Sequence, residues 1–152
     1  MSLQLSPNFS QAEAEKSQTA LRLGIINIVP PNLLPSVKNV AMTILQPVRD
    51  HYGVPFSPSS WYRSPSLCTA IGSKTTSQHA KGEAVDLEVP GVDNRDLARW
   101  ISENLAFDQL ILEFYDGTPN GGWVHCSTKL TGEQRRQVLI FDGKSYSEVE
   151  AL

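Results

Sequence analysis

Residues 109–127, "QLILEFY-DGTPNGG-WVHCS", limit the fold more than any other stretch of this 152-residue chain. Two runs rich in β-branched, aromatic and aliphatic residues flank a loop with two strong turn signals, the signature of a β-hairpin. Side chains alternate between the two faces of a strand. Leu110, Leu112 and Phe114 therefore form one apolar face, and Ile111, Glu113 and Tyr115 point the other way. On the second strand the same parity separates Val124 and Cys126 from Trp123, His125 and Ser127. A loop centred near Pro119 pairs residues whose numbers sum to about 238, which sets Glu113 opposite His125. Directly opposed side chains have Cβ atoms about 4.5–5.5 Å apart, close enough for a carboxylate and an imidazole to share a site.

Further strands are predicted over 83–89 and 136–141, with the hairpin arms at 107–115 and 122–128. Helical spacing of Val37, Val40, Ala41, Ile44, Leu45 and Val48 predicts a helix from Ser36 to near Gly53, kinked at Pro47. A second helix over 94–105 buries Leu97, Trp100, Ile101 and Leu105. Ser10 and Glu13 have capping-box spacing ahead of a helix at 11–22, after which Pro30, Pro31 and Pro35 keep the chain extended. "SPSLCTAIG" reads as a short helix. The expected fold is α+β, an antiparallel sheet backed by helices in a single domain over 1–152, with residues 1–20 peripheral.

A net charge of −3 and the lack of a Lys/Arg run argue against nucleic-acid binding. No apolar stretch is long enough to insert in a membrane, and the N-terminus lacks the pattern of a signal peptide, so synthesis in the cytosol is expected. Cys68 and Cys126 are expected to be free thiols.

The chain has three histidines. His51 sits at a helix end, where the dipole accounts for it. In "TSQHAKGEAVD", residues 76–86, Gly82 lets the chain reverse after His79, and strand parity turns Asp86 to the polar face. His79, His125 and Asp86 would make a three-ligand metal site with an open position. The plain alternative is a hydrogen-bonded turn histidine and a strand carboxylate paired with Lys or Arg.

"SQHAKGEAVD" resembles the Ser-x-His-x-x-Gly-x-Ala-x-Asp pattern of the zinc D-alanyl-D-alanine carboxypeptidases, a family that includes phage endolysins and has the hedgehog/D,D-peptidase fold. "WYRSP" and "GWVH" resemble its other blocks. The similarity runs from about Leu21 to Ser127 and looks nearest to small prophage-encoded members. It implies one Zn²⁺ per chain on His79, Asp86 and His125, with Arg63 holding substrate and the oxyanion. It also implies hydrolysis of peptidoglycan stem peptides by metal-activated water, as a D,D-carboxypeptidase or an L-Ala-D-Glu-type endopeptidase. Ser77 is expected to shape the loop before His79, and Trp123 to wall the cleft.

The sequence departs from that pattern at one point. Members carry an acid three residues before the last histidine or a histidine two before it, and here those positions are Gly122 and Trp123. Glu113 is the expected replacement base, with Glu88 in reserve. The empty position also leaves room for a catalytically inactive zinc-binding module or a phage structural component. An enzyme without a signal peptide would reach the wall after lysis, by holin release or on a particle.

Overall fold

A computed structural model describes residues 3–152. Strands β1 (Gln4–Ser6) and β2 (Phe9–Ser10) form a small ribbon that leads into α1 (Gln11–Glu15) and α2 (Gln18–Leu23). The capping box is present, with Ser10 accepting from the Glu13 N–H and Glu13 reaching back to the Ser10 N–H. The predicted 11–22 helix is nevertheless two helices, because Ser17 caps a second start and its hydroxyl accepts from the Ala20 N–H. Leu5, Phe9 and Ala14 are buried in the main core, so the N-terminal segment is not peripheral. Its apolar residues recur too irregularly to signal that burial.

The central helical run begins earlier than predicted. Pro31 and Pro35 do not hold the chain extended but lie in the first turns of a 3₁₀ turn (Pro31–Leu33) and of α3 (Leu34–Val40), where an absent N–H costs nothing. The run continues through a π segment (Ala41–Leu45) into α4 (Gln46–Tyr52). Pro47 explains that segment: its ring would crowd the Thr43 carbonyl, and the wider turn, with Gln46 N–H bonded to the Ala41 carbonyl, relieves the crowding. α5 (Pro65–Ala70) and α6 (Asn94–Asn104) are capped by Ser64 and Asp93.

Strands β3 (Ala84–Leu87), β4 (Gln109–Glu113), β5 (Trp123–Ser127), β6 (Gln137–Phe141) and β7 (Tyr146–Glu148) make one sheet in the order β3-β5-β4-β6-β7. The fold is α+β. Three of the pairings are antiparallel, as expected, and β4 with β6 is parallel. Val85, Leu87, Leu110, Leu112, Val124, Cys126 and Val138 form the core face and pack with Val37, Ile44, Leu97 and Ile101 from the helices. The opposite face forms rungs: Asp86, His125, Ile111 and Leu139 in one, and Trp123, Glu113, Phe141 and Tyr146 in the next.

The hairpin register differs from the expected one by two residues. Glu113 pairs with Trp123, and His125 with Ile111. Phe114 adopts φ 55°, which ends β4 early, and Gly122 at φ 63° lies so close to the Glu113 carbonyl that no Cβ would fit. The loop thus spans 114–122 and centres on Thr118, not Pro119. The left-handed residue also reverses the alternation beyond Glu113. Phe114 leaves the core face and packs on Trp123 and Phe141, with ring centroids 5.1 and 5.2 Å apart, while Tyr115 donates its hydroxyl to Asp93.

Candidate metal centre and cleft

The cleft on the outer sheet face has a volume of about 760 Å³ and contains His79, Asp86 and His125 at its floor. Asp86 comes from β3, His125 from the neighbouring β5, and His79 from the turn that Gly82 closes at φ 72°. One nitrogen of each histidine and an Asp86 oxygen all lie within 4.8 Å of one another, and no other such trio occurs among the described residues. His79 Nε2 is 3.3 Å and His125 Nδ1 is 3.0 Å from the same atom, Asp86 Oδ1.

The hydrogen bonding around His79 shows what this trio requires. Its Nδ1 lies 2.7 Å from the Trp61 carbonyl, an acceptor, so the proton must be on Nδ1. Burial lowers the His79 pKa and keeps the ring neutral. Nε2 then presents a lone pair toward a carboxylate oxygen. Two lone pairs facing each other repel, and a metal ion would fit this donor set. Burial by itself would raise the Asp86 pKa, but the neighbouring His125 imidazole outweighs it and holds the carboxyl well below the usual carboxylate range.

Arg63 is delivered by residues 59–63, which run along the free edge of β3. Asp86 N–H donates to the Ser60 carbonyl at 2.7 Å, and Ser59 N–H donates to the Asp86 carbonyl at 3.0 Å. Arg63 Nη2 then reaches Asp86 Oδ2 at 3.1 Å, while its Nε donates to Ser60 Oγ at 2.9 Å. All four residues of β3 are buried. Asn27 clamps the same segment, donating to the carbonyls of Tyr62 and Glu15 and accepting from the Ser64 N–H. No sequence signal marked Asn27, which sits in an apolar run with neither helical nor strand period.

Glu113 lies on the cleft wall, one rung from His125 and on the same face. Diagonal neighbours are about 7–8 Å apart at the backbone, within reach of a long side chain. Burial raises the Glu113 pKa, opposed by the nearby His125. Glu88 is exposed, hydrogen-bonds Asn94 at 3.1 Å and lies outside this cleft, because β3 ends at Leu87. Trp123 lines the cleft, and the Ser77 hydroxyl accepts from the His79 N–H at 3.2 Å. His51 stacks on Trp100 with centroids 4.3 Å apart, away from the cleft. Both cysteines are free and buried.

A family model described as Peptidase M15 matches residues 7–127, which include all of these site residues. No curated protein matches the chain. No helix among the described residues is long and apolar enough to cross a membrane.

Proposed function

The chain belongs to the Peptidase M15 family, and we propose that it is a zinc peptidase that hydrolyses peptidoglycan stem peptides, as a D,D-carboxypeptidase or an endopeptidase. One observation carries the reading: His79, Asp86 and His125 converge at the floor of a cleft whose walls hold Glu113 and Arg63. Zn²⁺ held by His79 Nε2, the Asp86 carboxylate and His125 Nδ1 would supply a Lewis acid that polarises the scissile carbonyl and acidifies water.

The remaining steps belong to the chain. The Trp61 carbonyl fixes the His79 tautomer and ring orientation. Glu113 takes a proton from the attacking water and returns it to the departing amine, a role favoured by a carboxylate whose burial raises its basicity. Arg63, held at Nε by Ser60, directs its guanidinium at negative charge developing on the carbonyl oxygen. Trp123 and Ile111 line the cleft beside the reacting groups. The presence of Glu113 beside the trio favours an enzyme over an inactive binding module. Access to the wall through lysis, a holin or a particle is part of the same proposal.

The test uses synthetic stem peptides and zinc-loaded protein, with products identified by mass. Hydrolysis that stops with chelator and returns with added Zn²⁺ is the expected outcome. Full zinc occupancy with every peptide intact would overturn the reading.

A further inference from the structure

Residues 128–152 lie beyond the segment that matches the family, yet Arg135 and Tyr146 from this region line the cleft. Arg135 is held firmly. Its backbone N–H, Nε and Nη2 donate to the Asp108 carboxylate at 2.8, 3.1 and 2.8 Å. Asp108 is fully buried and also accepts from Gln78, the neighbour of His79, at 3.0 Å. Lys129 Nζ stands 3.6 Å from the same carboxylate, so two cations share one anion. The grip leaves Arg135 Nη1 with no partner among the described residues.

The next residue shows that this placement is enforced. Arg136 adopts φ 54°, a conformation costly for a residue with a side chain. It is held there by bonds from its guanidinium to the Leu105 and Ser102 carbonyls, at the end of α6, and by stacking over Phe107 at 4.6 Å. Arg136 is thereby turned outward and Arg135 into the cleft.

We infer that Arg135 is a specificity-determining residue that binds a free carboxylate of the peptide substrate at a subsite apart from the metal trio. The inference rests on the peptidase reading above. Gln137 pairs with Gln109, two residues along β4 from the Ile111 rung that holds His125, a separation of roughly 7 Å. Arg135 lies two residues further on. A carboxylate about two to four residues from the scissile bond could therefore reach it, since an extended residue spans about 3.3–3.6 Å. The cleft lining agrees: Arg63, Lys74 and Arg135 outnumber Asp86 and Glu113, although the whole chain carries a net charge of −3. A planar guanidinium anchored on one edge is suited to a carboxylate.

The carboxylate could belong to an acidic residue of the peptide or to its C-terminus. Three versions of one stem peptide separate these sources: both groups free, the D-Glu carboxylate amidated, and the C-terminus amidated. The wild-type protein should lose about tenfold or more in kcat/KM on one of the two amides, as expected for a lost charge-assisted hydrogen bond. Arg135→Gln should cleave the free acid no faster than that amide while leaving the amide rate unchanged, and Arg135→Lys should recover part of the preference. Because Arg135→Gln leaves Asp108 with fewer partners, the double variant Asp108→Asn/Arg135→Gln repeats the comparison without a stranded carboxylate. Equal rates on all three peptides, or a preference that survives Arg135→Gln, would overturn the inference and leave the peptidase reading standing. If no peptide is cleaved, both fall.

Discussion

At the scale of single residues the account depends on Glu113 and on the three residues at the cleft floor. Glu113→Gln keeps size and removes the basic oxygen, so zinc content and fold should be retained while the rate falls by about 10²–10⁴-fold, the usual worth of general acid–base catalysis. Glu88→Gln should change the rate little, since Glu88 is exposed outside the cleft. Elemental analysis and peptide kinetics on both variants would show this, and a wild-type rate in Glu113→Gln would place the base elsewhere. Asp86→Ala and His125→Ala should each lose bound zinc, whereas alanine at Cys68 and Cys126 should not. A different effect is expected at Asp108. Burial alone would raise its pKa, but hydrogen bonds from Arg135 bring it down to about 2. The folded state therefore holds fewer protons there than the unfolded chain. The resulting stability is fully present above the ordinary value of 3.8 and is lost as pH falls toward about 2. Asp86 shifts in the same direction, so thermal unfolding of Asp108→Asn across this window should show a shallower acid slope, not a flat one. An unchanged slope would mean that Asp108 is not so paired.

Among the elements, the hairpin shows what alternation can and cannot reveal. Parity set His125 and Glu113 on one face, and a register error of two residues left that face intact, because side chains repeat every second residue. Rung by rung the pairing was not legible: it depends on Phe114 at φ 55°, and nothing in "EFYDG" announces a left-handed phenylalanine. Gly122 gives a direct test. A Cβ there would strike the Glu113 carbonyl, and its φ of 63° costs a non-glycine residue about 1–2 kcal/mol before any clash. Gly122→Ala should therefore lower the melting temperature by several degrees and reduce activity more than zinc affinity, since it displaces Glu113 and not the trio. A variant as stable and active as the parent would contradict the observed register. The long helix was legible from apolar spacing and its π segment was not, since a proline predicts crowding without saying how the backbone relieves it. β7 and the Asp108 anchorage were also hidden. β7 is exposed and short, and Asp108 contacts residues 21 to 30 positions away in the chain, which no local pattern encodes.

For the whole molecule, charge distribution and cleft chemistry should act together. An acidic chain with a locally cationic cleft should favour anionic peptides, and this preference should weaken with salt, since screening shortens to about 3 Å at 1 M ionic strength. kcat/KM on a free-acid stem peptide should fall as salt rises, while that on a fully amidated peptide stays nearly level. Parallel salt dependences would remove the electrostatic part of the argument. The central claim, that a metal-holding cleft in this chain cuts the peptides of the bacterial wall, is tested most directly by mass spectrometry of muropeptides after purified peptidoglycan is incubated with the zinc-loaded protein. The account predicts new species that have lost a terminal residue or been cut within the stem peptide, absent with chelator and with His125→Ala. An unchanged muropeptide profile from protein carrying one zinc per chain would contradict it.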